Sequence, residues 1–313
     1  MEAYARHYAD YPYYCGCVGN VGGETPNPTP RKYTIVQSIW TKPVKDKETL
    51  KKMLFVAALS LAYAHKSGYK VHMHTDRKGV ELLRGFGYER LLATLDKIPD
   101  TVPTDLFAAG KYYAMMAEGM VGKVHIDTDV FLKKPGILEK FYENKDVDVV
   151  CQMAEDYKTC RYVHQILPDI YALGYPARTN PCWEGSMNTG VIGFNNKELA
   201  EKYFGNYGDA LKMYTAERFE AYRAERRKDK KPVPTMHFDF VLEQVSLSYM
   251  SLGHNVFTLV PAKGMNAVAD KIGFCHLWGA SKWSAGTQAT IKERLLEIDE
   301  KVYNAVCKAA EKA

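Results

Sequence analysis

The chain has 313 residues and contains no apolar run approaching the ~20 residues that a membrane-spanning helix needs. The start, Met1 to His7, has no basic segment followed by an apolar one, so it does not read as a secretory leader. Both absences predict a soluble, intracellular, cytoplasmic protein. Charge of neither sign dominates: the formal net charge is +5 and is spread along the chain, which argues against a nucleic-acid partner. The one dense basic stretch, Arg223 to Lys231, reads either as a solvated helix end or as a patch for an anionic lipid surface or acidic acceptor. The second reading would bring the protein to the cytoplasmic face of a membrane. The seven cysteines are odd in number and scattered, so they do not make a disulfide framework. Cys151 and Cys275 lie in apolar, strand-like runs and read as buried thiols in a reducing compartment. Cys15-Gly16-Cys17 has no second pair and no neighbouring histidines to complete a metal site. Internal repeats and low-complexity linkers are also missing.

What is present is an α/β pattern. Hydrophobic residues make up 46% of the chain, enough for a substantial core. Residues 1–31 read as an irregular arm with Pro26, Pro28 and Pro30. Strands are predicted at 33–40, 69–75 and 90–95, and a helix over 47–66 carries Leu50, Leu54, Ala57, Leu61 and Ala64 on one face. A short helix is predicted around 78–85, and another over roughly 105–118 with Thr104 as its cap and Gly119 as its stop. A strand at 121–127 follows. This alternation predicts a mixed, mainly parallel sheet flanked by helices, with the ligand crevice beyond the C-terminal strand ends. Further strands are expected at 147–153, 188–195, 254–260 and 272–275, with helices over 197–227 and 238–252. Residues 155–185 read as a long aromatic insertion. A single catalytic domain is expected over 32–286, with a nucleotide half to about 135 and an acceptor half after it, followed by an amphipathic helix over 287–313.

Two motifs carry the chemistry. Val124-His125-Ile126-Asp127-Thr128-Asp129 is a strand ending in two carboxylates, which on an extended chain point the same way. Two adjacent carboxylates repel unless a cation joins them, and Mg²⁺ or Mn²⁺ suits carboxylates together with phosphate oxygens. By itself the pair also fits solvated turn carboxylates, or the nucleophile of a haloacid-dehalogenase-type phosphatase. That phosphatase motif opens its fold, whereas here about 120 residues and three predicted strands come first. The second motif, His276-Leu277-Trp278-Gly279-Ala280-Ser281-Lys282, offers an imidazole, a glycine that lets backbone approach a ligand, and an ammonium suited to phosphate.

With these residues in view, the sequence resembles the GT-A glycosyltransferases, most closely the family that includes glycogenin and the bacterial galactosyl- and glucosyltransferases of lipopolysaccharide synthesis. Asp127-Thr128-Asp129 resembles the family's D-x-D. Asn188 to Asn195 is similar to its N-[AT]-G-V-x-x-x-N strand, and His276 to Trp283 to its H-x-x-G-x-x-K-P-W with the proline absent. The likeness spans roughly 33–284. It implies a Rossmann-like nucleotide-binding half, a UDP-sugar donor, Mn²⁺ (or Mg²⁺) as metal, a glycan or lipid-linked acceptor, and retention at the anomeric carbon. It implies that Asp127, Asp129 and His276 ligate the metal and that Gly279 and Lys282 contact the diphosphate. Lys111 is placed like a basic residue that touches donor phosphate or sugar. Ser38 and Asp76, after the first two strands, fall where the family holds the nucleoside. Asn188 falls on the donor sugar. The family's later Asp-Gln is replaced by Glu243-Gln244, so Glu243, the preceding Asp239 or neither takes that role.

Trp183, Trp278 and Tyr171 are candidate platforms for sugar rings or else core residues, and Trp183 to Ser186 is the expected acceptor-side loop. Two other classes compete with a transferase: a catalytically silent sugar-nucleotide or glycan binder, and the Asp127-nucleophile phosphatase. A sugar-1-phosphate nucleotidylyltransferase is disfavoured because Ser38 to Pro43 contains no glycine.

Overall fold

The computed structural model describes residues 32–155, 170, 185–229, 235–261 and 265–313. The expected arm at 1–31, Cys15-Gly16-Cys17, Tyr171, Trp183 and nearly all of the 155–185 insertion lie outside the described residues, as do the last two residues of the basic stretch.

In chain order the elements are β1 (Tyr33–Ile39), α1 (Lys47–Lys66), β2 (Tyr69–Thr75), α2 (Arg77–Leu83), β3 (Arg90–Leu92), α3 (Ala109–Ala117), β4 (Val124–Ile126), β5 (Val130–Leu132), α4 (Glu139–Glu143), β6 (Val149–Glu155) and β7 (Ser186–Phe194). There follow α5 (Lys197–Met213), α6 (Ala216–Lys228), α7 (Thr235–Phe240), α8 (Ser246–Met250), β8 (Val256–Thr258), α9 (Met265–Ile272), β9 (Phe274–His276), α10 (Ala285–Ile298) and α11 (Glu300–Lys312). The strands form a seven-stranded sheet of order β3-β2-β1-β4-β7-β6-β8 and a two-stranded sheet of β5 and β9. Strands β3, β2, β1 and β4 are parallel; β7 runs against both neighbours, and β8 is parallel to β6. The fold class is therefore the mixed, mainly parallel α/β sheet that the alternation predicts.

The core follows from period-two burial on the strands and amphipathic helices on both faces. Ile35 and Ile39 face α1, α10 and α11, while Val36 faces α3, α5 and α8. Helix α1 starts where the Asp46 side chain accepts from the Thr49 N–H at 2.8 Å, and stops before Gly68 at a φ of +84°. It buries Leu50, Leu54, Leu59 and Leu61, each contributing roughly 1.5–3 kcal/mol on burial.

Four local expectations change. The predicted 105–118 helix begins only at Ala109, because Thr104 does not cap it and the Ala108 N–H is satisfied by Asp239 from far along the chain. The 90–95 strand ends at Leu92, and a 3-10 turn over Thr94–Lys97 buries Leu95 instead. The 197–227 helix breaks where Thr215 accepts from the Arg218 N–H and starts α6. The C-terminal helix is two helices, since Asp299 leaves helical geometry and caps α11 by accepting from the Val302 N–H. Its expected apolar face survives the break: Ile291, Leu295, Val302 and Val306 are all buried.

Candidate active site

The site lies at the C-terminal edge of the parallel strands, where β4 meets the start of β7 and the end of β6. Asp127-Thr128-Asp129 is not extended there. A hydrogen bond from the Val130 N–H to the Asp127 carbonyl, at 3.0 Å, closes a turn between β4 and β5. Two pairings then fix each carboxylate. The Asp127 N–H donates to the Gly190 carbonyl at 2.8 Å, which seats Asp127 on β7. Val130 pairs with His276 across the β5–β9 ladder, and the Leu277 N–H donates to the Asp129 carbonyl at 3.0 Å. The small sheet thereby delivers the second motif to the first.

Asp127, Asp129 and His276 offer ligand atoms that all lie within 4.8 Å of one another. His276 Nε2 is 3.3 Å from Asp129 Oδ1, and Lys282 Nζ pairs with Asp129 Oδ2. The Asp127 side chain is 35% exposed against 12% for Asp129, so the cluster opens to solvent on the Asp127 side. Two carboxylate oxygens and one imidazole nitrogen suit Mn²⁺ or Mg²⁺ on donor chemistry, and the geometry fits that use.

Lys111, on the buried face of α3, reaches Asp127 Oδ1 at 3.1 Å, Glu243 Oε1 at 2.9 Å and the Thr189 carbonyl at 2.8 Å. Glu243 sits on a π-helical turn (Val241–Val245) between α7 and α8, a distortion frequent at functional sites. Three carboxylates thus meet two ammonium groups. Burial alone would raise the Asp129 carboxyl, but Lys282 and His276 outweigh it and hold the group well below the carboxylate range. Burial raises Glu243, and Lys111 only partly opposes the rise. Burial lowers Lys111, yet Asp127 and Glu243 more than compensate and keep its ammonium charged.

The remaining expected residues separate. Asn188 stands at the start of β7 beside Thr189, its Oδ1 accepting from the Gly190 N–H at 3.0 Å. Gly279 opens a 3-10 turn at a φ of +62°, and that turn carries Lys282, whose carbonyl is tied to α10 by the Gln288 amide at 2.7 Å. Ser38 is hydrogen-bonded to His125 Nε2 at 2.9 Å, which places it behind Asp127. Burial and then the Lys111 charge push the His125 imidazole well below its usual value. Asp76 caps α2: its carboxylate accepts from the Gly79 N–H, the Thr41 N–H and hydroxyl, and the Lys42 N–H, so four donors already surround it. Asp239 is not brought to the cluster. It is fully buried, accepting from the Ala108 N–H and the Tyr207 hydroxyl, while the Glu243 and Lys111 charges still act on it. Trp278 packs edge-on against the His276 ring, with centroids 5.4 Å apart.

Two features escaped sequence reading. Gln152 lies in what reads as an apolar strand, yet its Oε1 meets His276 Nδ1 at 2.7 Å. Gly190 belongs to the Asn188 motif, and its role appears only in three dimensions. A Cβ there would stand 2.5 Å from His276 Cε1 and 2.6 Å from Gln152 Oε1. A polar residue interrupting an apolar strand was the one available signal. Among the described residues no helix is long and apolar enough to cross a membrane.

Comparison with known proteins gives a family and three distant structural likenesses. The model described as "Family of unknown function (DUF6734)" matches residues 33–309. No curated protein matches the sequence. Among solved structures, the galactosyltransferase LgtC with donor and acceptor sugar analogues is 14% identical, covering 85% of this chain and 94% of that one with a TM-score of 0.37. Mouse xyloside xylosyltransferase 1 is 11% identical, covering 73% and 85%, with a TM-score of 0.35. The glycosyltransferase GlyE of Streptococcus pneumoniae is 11% identical, covering 90% of this chain and 64% of that one, with a TM-score of 0.39. Likenesses this distant leave the reading of the site to the chain's own residues.

Proposed function

The chain belongs to the DUF6734 family, and we propose that it acts as a metal-dependent glycosyltransferase, moving a sugar from a UDP-sugar to an acceptor hydroxyl on a glycan. One observation carries the reading. Asp129 and Lys282, 153 positions apart, are joined in a cluster that also gathers Asp127 and His276. A ligand set for a dication and a cation suited to phosphate thus share one open strand edge.

Asp127, Asp129 and His276 would hold the divalent ion, which when bound supplies Lewis-acid stabilisation of the charge on a departing diphosphate. Lys282, anchored through Gln288, adds a fixed ammonium to the same charge. Lys111 stands between Asp127 and Glu243 and offers a second ammonium toward donor phosphate or sugar. Glu243 and Asn188 hold donor sugar hydroxyls, Glu243 from the π turn and Asn188 from the start of β7. Asp239 has no part in this step, because its oxygens are taken by Ala108 and Tyr207.

The test is a thermal-shift screen of nucleotides and nucleotide sugars with and without Mn²⁺. A ligand at a hundredfold its Kd stabilises the folded form by about 2.7 kcal/mol. A shift that requires both UDP and Mn²⁺ is expected, followed by release of UDP from the matching UDP-sugar. Stabilisation by UDP that is indifferent to Mn²⁺, His276 and Asp129 would remove the metal site. Release of phosphate from a generic aryl phosphate would transfer the assignment to a phosphatase.

A further inference from the structure

Gln152 is fully buried in β6. Its amide carries one acceptor and two donor positions. The acceptor Oε1 faces His276 Nδ1 at 2.7 Å, whereas Nε2 has no hydrogen-bond partner among the described residues. Leaving such a donor buried and unpaired destabilises the fold, so a leucine of similar volume would serve folding better. The backbone around it is also adapted. Between the pairs Cys151–Ile192 and Met153–Asn188 only Gln152 lies on β6, while Thr189, Gly190 and Val191 lie on β7, so β7 bulges opposite Gln152, and bulges re-aim side chains locally. Opposite, Gly190 leaves the space that both the amide and the imidazole fill, since an added Cβ would collide with each. A polar side chain, a bulge and a bare glycine therefore converge on one hydrogen bond to one ring nitrogen.

We propose that Gln152 is the positioning residue of His276: its amide oxygen accepts from Nδ1–H, fixing the ring's rotation and tautomer so that the Nε2 lone pair faces Asp129 and the divalent-ion site. The proposal rests on the metal reading given above. A partner on the far nitrogen is what orients a ligating imidazole, and the nitrogen left unprotonated is the one able to ligate. An amide does this without adding negative charge beside Asp127, Asp129 and Glu243. Nε2, at 3.3 Å from Asp129 Oδ1, is the nitrogen on the cluster side.

The test measures Mn²⁺ alone, by the electron paramagnetic resonance signal of the free ion, on the full chain and on Gln152→Leu and Gln152→Glu. Gln152→Leu is expected to bind Mn²⁺ about ten- to a hundredfold more weakly with no fall in its thermal midpoint, a combination that a merely structural role does not produce. Gln152→Glu keeps the acceptor and is expected to stay within about threefold of the native chain, well short of the loss expected for Gln152→Leu. Equal Mn²⁺ affinity in Gln152→Leu and the native chain overturns the proposal, as does equal loss in both variants. The tautomer is read on the native chain by ¹⁵N-histidine NMR with diamagnetic Zn²⁺: a proton on Nδ1 of His276 is expected, and a proton on Nε2 overturns the proposal even if neither variant folds. Absence of Mn²⁺ binding by the native chain sinks the metal reading and this proposal together, whereas native binding with an indifferent Gln152→Leu sinks this proposal alone.

Discussion

Asp129 and Asp239 are both buried aspartates near the same sheet edge, and their surroundings drive them in opposite directions. Asp129 has Lys282 and His276 against it and stays ionised well below the usual range. Asp239 stands among Tyr207, Tyr214 and Phe238 in an aromatic cluster, and burial, then the neighbouring Glu243 charge, push its carboxyl up to about 8. Burial is common to both, so the cations decide the outcome. A buried carboxylate beside two positive groups is equipped to meet a metal, while one beside a phenol and a helix N–H is a neutral brace. The same contrast separates the two candidates for the sugar-facing carboxylate: Glu243 faces Lys111 and Asp239 does not.

The strongest way to break that comparison is Asp129→Asn. Loss of a metal ligand and its charge is worth several kcal/mol, so turnover of UDP-sugar is expected to fall at least ~10³-fold with the fold intact by circular dichroism. Asp239→Asn, which can still accept from Ala108, is expected to leave turnover within about threefold, far below the ~10³ that several kcal/mol represents. Equal losses in the two variants would erase the distinction. Glu243→Gln falls between them: a hydrogen bond to a charged group is worth about 1.5–3 kcal/mol, so turnover at saturating donor is expected to fall about 10–100-fold.

Gly190→Ala sharpens the geometric side of the comparison. The Cβ collides with His276 and Gln152, so a stability loss of about 1–3 kcal/mol is expected in urea titration, together with weaker Mn²⁺ binding. A pH dependence reads the same contrast in stability. The folded-state value of Asp239, about 8, lies above the usual 3.8. Between those values the folded chain keeps a proton that the unfolded chain has released. Its contribution to stability is therefore full in acid and is lost as pH rises toward 8. Thermal midpoints from pH 5 to 8 are expected to slope less steeply in Asp239→Asn than in the native chain, and an unchanged slope would show that Asp239 is ionised.

Local pattern and motif chemistry were legible in the sequence. The helix over 47–66 and the strand over 69–75 match α1 and β2 end to end, because apolar spacing and caps act within a few residues. The residue types of the cluster were legible as well, since hard oxygens, an imidazole and an ammonium announce their chemistry in any order along the chain. Only tertiary structure decided which of them meet. The β5–β9 ladder seats His276 beside Asp129, the packing of α3 against the π turn pairs Lys111 with Glu243, and Gly190 makes room for Gln152. These are contacts between segments more than a hundred residues apart in several cases. Their register is set by strand pairing and helix packing, on which no local run of residues bears.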